Sequence, residues 1–226
     1  MEQNMEQINL SNKKLNIQEI SDFDKSNIET NCGKPFCGLW FTPALYGLTS
    51  HFKSFWHKHI ESNWPKDIIN KTYVTNNNTT FVTELFLEED TQILKVSELG
   101  YLFDKKASTL EIIKELELKN TKHLILNINS QEDLDIISEN YPQWDSLGRK
   151  IHSELWEYVT NNFVGCEFSW HLFETVRRLD SDFLFILDTP SFVVFDANGF
   201  KFKTTEEKLT FNTFDNKIKA EIEVSL

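Results

Sequence analysis

Five side chains able to bind a metal, Cys32, Cys37, His51, His57 and His59, lie close together in this 226-residue sequence. The order, a Cys-x4-Cys pair followed by His-x-His, is not a zinc spacing. On a helix His57 and His59 would point about 200° apart, too far to share one ion. Core and surface roles are the simpler expectation, and no metal site is predicted. Nucleophilic catalysis needs a base beside the nucleophile, yet His123, His152 and His171 are scattered and no Gly-x-Ser-x-Gly elbow occurs. Seven glycines in the chain form no phosphate-cradling loop. Among carboxylates, Glu167 in Gly165-Cys166-Glu167-Phe168 stands out, being flanked by apolar residues. It reads either as a buried acid with a raised pKa or, more simply, as the outward residue of a half-exposed strand. Asp188, in Asp188-Thr189-Pro190-Ser191, has the pattern of a turn in which its side chain bonds the backbone.

These groups need elements to position them. Residues 1–30 read as an N-terminal arm, loose or forming an edge strand, and 31–226 as a single α+β domain, because no Gly/Ser/Pro-rich spacer divides the chain. Gly38 to Phe41 reads as a short buried strand. Thr42 then fits a helix N-cap with Pro43 at the first helical position. The spacing of Leu45, Leu48, Phe52, Phe55, Trp56 and Ile60 predicts an amphipathic helix to about Ser62. Strands are predicted over 81–87, 92–96, 122–128, 164–168 and 192–195. Helices follow a Ser108-x-x-Glu111 capping box, Ser130, His152 and Trp170. The sequence becomes strand-rich toward its end, with Asn198-Gly199 as a hairpin turn. Lys201 and Lys203 fit an exposed edge strand, where lysine discourages stray pairing.

The bulk composition excludes whole classes of function. Lys plus Arg number 23 against 35 Asp plus Glu, a net charge of -12. Phosphate backbones and anionic bilayers attract cationic proteins, so neither nucleic acid nor membrane is an expected partner. Arg149, Lys150, Arg177 and Arg178 are the local exceptions and fit solvated helix ends. Three cysteines make no disulfide framework, and the polar N-terminus has no secretory pattern. A cytoplasmic protein is expected, in which the sequons Asn70-Lys71-Thr72 and Asn78-Thr79-Thr80 go unmodified. With 19 Phe and 6 Trp the chain can fill a sizeable core. Its Asn- and Lys-rich usage suggests an AT-rich genome, such as that of a large virus or its host.

Several of these stretches, in order, resemble a family of bacterial, phage and large-virus proteins with an ADP-ribosyltransferase-like fold. They are Lys34-Pro35 with Gly38-Leu39-Trp40-Phe41-Thr42-Pro43 and Trp56; Leu124-Ile125-Leu126 through Asp133-Leu134 to Tyr141-Pro142; Trp156; Gly165 to Phe168; and Leu187-Asp188-Thr189-Pro190-Ser191 to Phe195. The resemblance implies a split sheet with flanking helices, and a nicotinamide pocket for NAD lined by Trp40, Phe41 and Thr42 and shared with Ser191. Where such proteins carry a catalytic Glu before a Ser, this sequence has Pro190 before Ser191. Nothing from Met1 to Asn31 is the His or Arg that active members offer to the cofactor. Without an acid to stabilise the positive charge that develops as nicotinamide leaves, an NAD-cleaving site loses its main electrostatic aid. The expectation is a catalytically degenerate binding or interaction protein with a protein partner. The alternatives are an active NAD-dependent transferase using Glu167 as a displaced acid, and an accessory protein with no pocket.

Overall fold

The computed structural model describes residues 7–16, 30–31, 34–35, 38–45, 53–54, 63–141, 153–175 and 190–207. Its strands are β1 (Gln7–Ser11), β2 (Thr30–Asn31), β3 (Lys34–Pro35), β4 (Leu39–Leu45), β5 (Lys53–Ser54), β6 (Thr80–Leu87), β7 (Thr91–Lys95), β8 (His123–Ile128), β9 (Gly165–Phe168), β10 (Ser191–Val194) and β11 (Phe200–Glu207). Its helices are α1 (Lys66–Tyr73), α2 (Val96–Leu99), α3 (Tyr101–Asp104), α4 (Thr109–Glu115), α5 (Gln131–Asn140), α6 (Ser153–Asn162) and α7 (Trp170–Thr175). Helix and strand are mixed, in agreement with an α+β class. Two compact units share the chain: Met1–Leu15 with Thr42–Phe86 and Phe202–Leu226, and Asn16–Phe41 with Leu87–Lys201.

In the first unit β1 is an internal strand rather than a loose arm or an edge. It pairs antiparallel with β4 through Gln7↔Pro43 and Ile8↔Thr42, and with β6 from Gln7↔Leu85 to Ser11↔Phe81. β5 pairs with the far end of β4, Ala44↔Ser54 and Leu45↔Lys53. These pairings overturn the helix expected from Thr42: both Thr42 and Pro43 are strand residues, and Lys53–Ser54 is strand as well. A Thr-Pro pair looks like a helix start because proline fixes φ near −65°, but that value also suits extended backbone. The preceding Leu39, Trp40 and Phe41 already favour a strand. Leu48, Phe52, Phe55, Trp56 and Ile60 lie outside the described residues. The short helix α1, absent from the sequence expectations, buries Ile69 and Tyr73.

Among the described residues β11 is an edge strand beside β6, as its lysines predict. Lys203 is 2.9 Å from a Glu84 carboxylate oxygen in the first unit, and Lys201 is 2.6 Å from Glu88 in the second.

The second unit is built on three parallel strands. β7 pairs with β8 from Thr91↔His123 to Lys95↔Asn127, and β8 with β9 from Ile125↔Gly165 to Ile128↔Phe168. β10 runs antiparallel to β9 and, on its other side, to Leu39–Phe41. Parallel neighbours require long crossovers; α2 to α4 link β7 to β8, and α5 and α6 link β8 to β9. Side chains alternate along each strand, so one face carries Leu94, Leu124, Leu126, Ile128, Cys166, Phe168, Val193 and Phe195. These form one core with Leu102, Phe103, Ile112, Leu134, Trp156 and Leu172 of the helices. Trp156, 1% exposed, meets Phe168 and Phe195 at ring-centroid separations of 6.2 Å. Ser108 with Glu111, and Ser130 with Asp133, form reciprocal capping boxes that start α4 and α5.

The Asn198-Gly199 turn forms, with Gly199 at φ 88° and the Asn198 N–H bonded to Asp196 Oδ1. It is not a hairpin, because β10 pairs with β9 and β4 rather than with β11. Turn chemistry reverses the chain locally but does not choose the strand's partner.

Candidate site at the carboxyl ends of the parallel strands

Open sheets with parallel strands present ligands at the carboxyl ends of those strands. Here that edge of the second unit is polar. Lys95, Asn127 and Glu167 are register partners on β7, β8 and β9, so all three side chains project from one face, opposite the helix-packed core. Asn127 is 7% exposed and Glu167 is half-buried. Asn127 Nδ2 donates to Glu167 Oε2 at 2.6 Å. That bond fixes the amide's orientation and leaves Asn127 Oδ1 buried without a hydrogen-bond partner. A buried acceptor left unmade costs about 1–3 kcal/mol, so this oxygen is an unmet demand for an N–H or O–H donor.

Beyond Asn127 and Glu167 the chain leaves both strands through a second polar pair. Ser169 Oγ donates to Asn129 Oδ1, and the same hydroxyl accepts the Leu172 N–H at 3.2 Å, capping α7. Asp133, fully buried, accepts from the backbone N–H of Asn129 (2.8 Å), Ser130 (3.0 Å) and Ser97 (2.8 Å) and from the Ser130 hydroxyl (3.0 Å). One carboxylate therefore ties the end of β8 to the starts of α5 and α2. Its oxygens are taken up by this scaffold, which makes it a support for the edge rather than a reagent. Cys166, wholly buried beside Glu167, has its thiol pushed well up by burial first and by the neighbouring charge second. It is a core thiol, not a thiolate nucleophile.

The residues singled out from the sequence divide between the two faces. Trp40 is the register partner of Val193, and Phe41 of Phe192. Ser191 pairs with Phe168, and Phe192 with Glu167. Trp40 and Ser191 thus share the helix-packed face, where Trp40 packs partly buried against the core. Phe41 and Glu167 occupy the other face, Phe41 being 2% exposed. Thr42 is buried in a strand of the first unit, so no helix start there offers free N–H groups. Pro190 is buried ahead of β10. Asp188, Arg149, Lys150, Arg177, Arg178, Cys32, Cys37, His51, His57 and His59 lie outside the described residues, among which no cluster of metal-ligating side chains occurs. No described helix is long and apolar enough to cross a membrane.

Asn127 and Lys95 were missed in the sequence. The signal for Asn127 was present: it is the one polar residue within Leu124-Ile125-Leu126-Asn127-Ile128, an otherwise apolar run that is buried throughout. Lys95 becomes meaningful only once β7 and β8 are known to be neighbours. Compared with known protein families, characterised proteins and solved structures, the chain matches none.

Proposed function

We propose that this protein acts by binding, without NAD-cleaving turnover. The observation that carries this reading is the register of β4, β10 and β9. A transferase using Glu167 as a displaced acid needs that carboxylate at the pocket of Trp40 and Ser191, and a layer of sheet lies between them. Glu167 is also engaged by Asn127, and Pro190 stands where the acid is expected from the resemblance. The ADP-ribosyltransferase-like ancestry rests on the sequence stretches that suggest it, and it makes NAD the first ligand to test.

A second reading, an NAD-dependent transferase working from the Phe41 and Glu167 face, draws on one observation. Asn127 Oδ1 lacks a donor, and the carboxamide N–H of nicotinamide is such a donor. The two readings separate on incubation of the purified protein with NAD. No nicotinamide release above the protein-free control is expected; release that disappears in Glu167→Gln would replace the first reading by the second.

A further inference from the structure

A groove of about 840 Å³ opens in the first unit, bounded by the residues after β1, by α1, by the loop that follows it and by the end of β11. We propose that it binds an anionic sugar, a hydroxyl-rich ring bearing one phosphate or carboxylate. The proposal deepens the binding reading and rests on it, naming a ligand class and a place for it.

The size suits a small molecule, for which sites of about 300–1,000 Å³ are usual. The walls exclude an apolar one. Asn12, Asn70, Asn76, Asn77 and Asn78 all line the groove. A primary amide presents two donors and two lone pairs in one plane, and a sugar hydroxyl is both donor and acceptor, so a row of amides meets adjacent hydroxyls in either sense. The side chains of Asn76, Asn77 and Asn78 make no hydrogen bond to any described residue. Only the backbone N–H groups of Asn77 and Asn78 are used, in bonds to Thr75. Phe81, half-buried, also lines the groove and supplies apolar surface for the C–H face of a ring.

Charge sets the rest of the ligand class. Lys13 and Lys71 line the groove, and neither forms an ion pair with a described residue. The one carboxylate of the lining, Glu206, already accepts the Thr79 hydroxyl. Two ammonium groups against one engaged carboxylate make a cationic patch on a chain of net charge -12. Beyond roughly 8 Å the surrounding negative charge is screened, so contact with the two lysines decides the local preference.

The walls are held in place before any ligand arrives, which lowers the ordering cost of binding. Thr75 N–H bonds Thr79 O at 2.7 Å, Asn78 N–H bonds Thr75 O at 3.0 Å, and the two threonine hydroxyls lie 2.6 Å apart. Asn78 takes the left-handed turn position, φ 58°. Asn12 Nδ2 donates to Lys71 O at 2.8 Å, joining the β1 side of the groove to α1.

The test is a titration of the full chain, followed by calorimetry and by amide NMR shifts, with glucose 6-phosphate, glucuronate, glucose and inorganic phosphate. Glucose 6-phosphate and glucuronate distinguish a phosphate from a carboxylate as the source of charge, and binding of either supports the proposal. Glucose and phosphate alone should each bind at least about tenfold more weakly. Lys71→Glu and Lys13→Glu should each weaken the charged sugar about tenfold, and Asn77→Ala severalfold, with circular dichroism melts unchanged. Lys71→Gln serves if the charge reversal disturbs α1. The proposal is overturned if neither charged sugar binds at ~10 mM, if inorganic phosphate binds as tightly as glucose 6-phosphate, or if the lysine variants bind like the parent. Failure here together with absent nicotinamide release removes the groove but keeps the binding reading; nicotinamide release removes the reading itself.

Discussion

Asn127 makes one strong hydrogen bond and leaves one buried acceptor unmet, and these have opposite consequences for stability. Asn127→Leu removes the unpaired oxygen but also takes one donor from Glu167. The opposing effects should leave a net change within about 1.5 kcal/mol in a denaturant melt, and a loss above about 3 kcal/mol would mean that the oxygen is satisfied in solution. Gly199 is a less forgiving residue. A Cβ there would lie 2.7 Å from Thr91 Oγ1 and 3.0 Å from the His123 Cβ, at a backbone φ of 88°. Gly199→Ala should cost about 1–3 kcal/mol, and a melt unchanged from the parent would show that the turn can relax. At this scale the sequence was informative about types and silent about partners. Glu167 was visible as a polar residue among apolar ones; that its neighbours are Asn127 and Phe192 depends on strand order, which no local pattern encodes.

The elements most legible in the sequence are those that carry their own stop and start signals. The capping box at Ser108 and the helix start at Ser130 form as expected, because the bonds that make them are local. The Thr42-Pro43 pair misled because the same two residues suit a helix start and a strand, and pairing with β1 decides the matter. The short helices α2 and α3 escaped because four residues are too few to show a period. Asp133 shows what a cap becomes when it also reaches a neighbouring element. Asp133→Ala would strip donors on Asn129, Ser130 and Ser97 of their acceptor at once, at about 3–5 kcal/mol. Ser108→Ala should cost only about 1 kcal/mol, so equal losses in the two melts would refute this ranking. A pH dependence belongs here too. The hydrogen bond from Lys122, 2.9 Å away just before β8, holds the Asp90 carboxyl below the ordinary aspartate range. A depressed folded pKa contributes stability that is present at neutral pH and lost as the pH falls through that folded value. In Lys122→Met the Asp90 midpoint, followed by NMR, should rise toward the ordinary value; an unchanged midpoint would sink the assignment.

For the whole chain, charge is the property that sequence gives most directly. A net charge of -12 and a pI of about 5.0 predict weak duplex-DNA binding at physiological salt and lowest solubility near pH 5, where self-repulsion vanishes. A mobility shift at submicromolar protein would contradict the first, and a solubility minimum well away from that pH the second. Composition could not reveal that residues distant in sequence share a unit, as Met1–Leu15 does with Phe202–Leu226. The groove of the first unit has a practical consequence for making the protein. Asn70 and Asn78, exposed on its lining, are each the acceptor position of an Asn-x-Thr sequon. Chain produced in a bacterial cytosol would carry bare asparagines there, whereas chain routed through a eukaryotic secretory pathway would meet the glycosylation machinery at both. Oligosaccharides attached at those positions would occupy the groove from within, so the expression host alone could switch the site off.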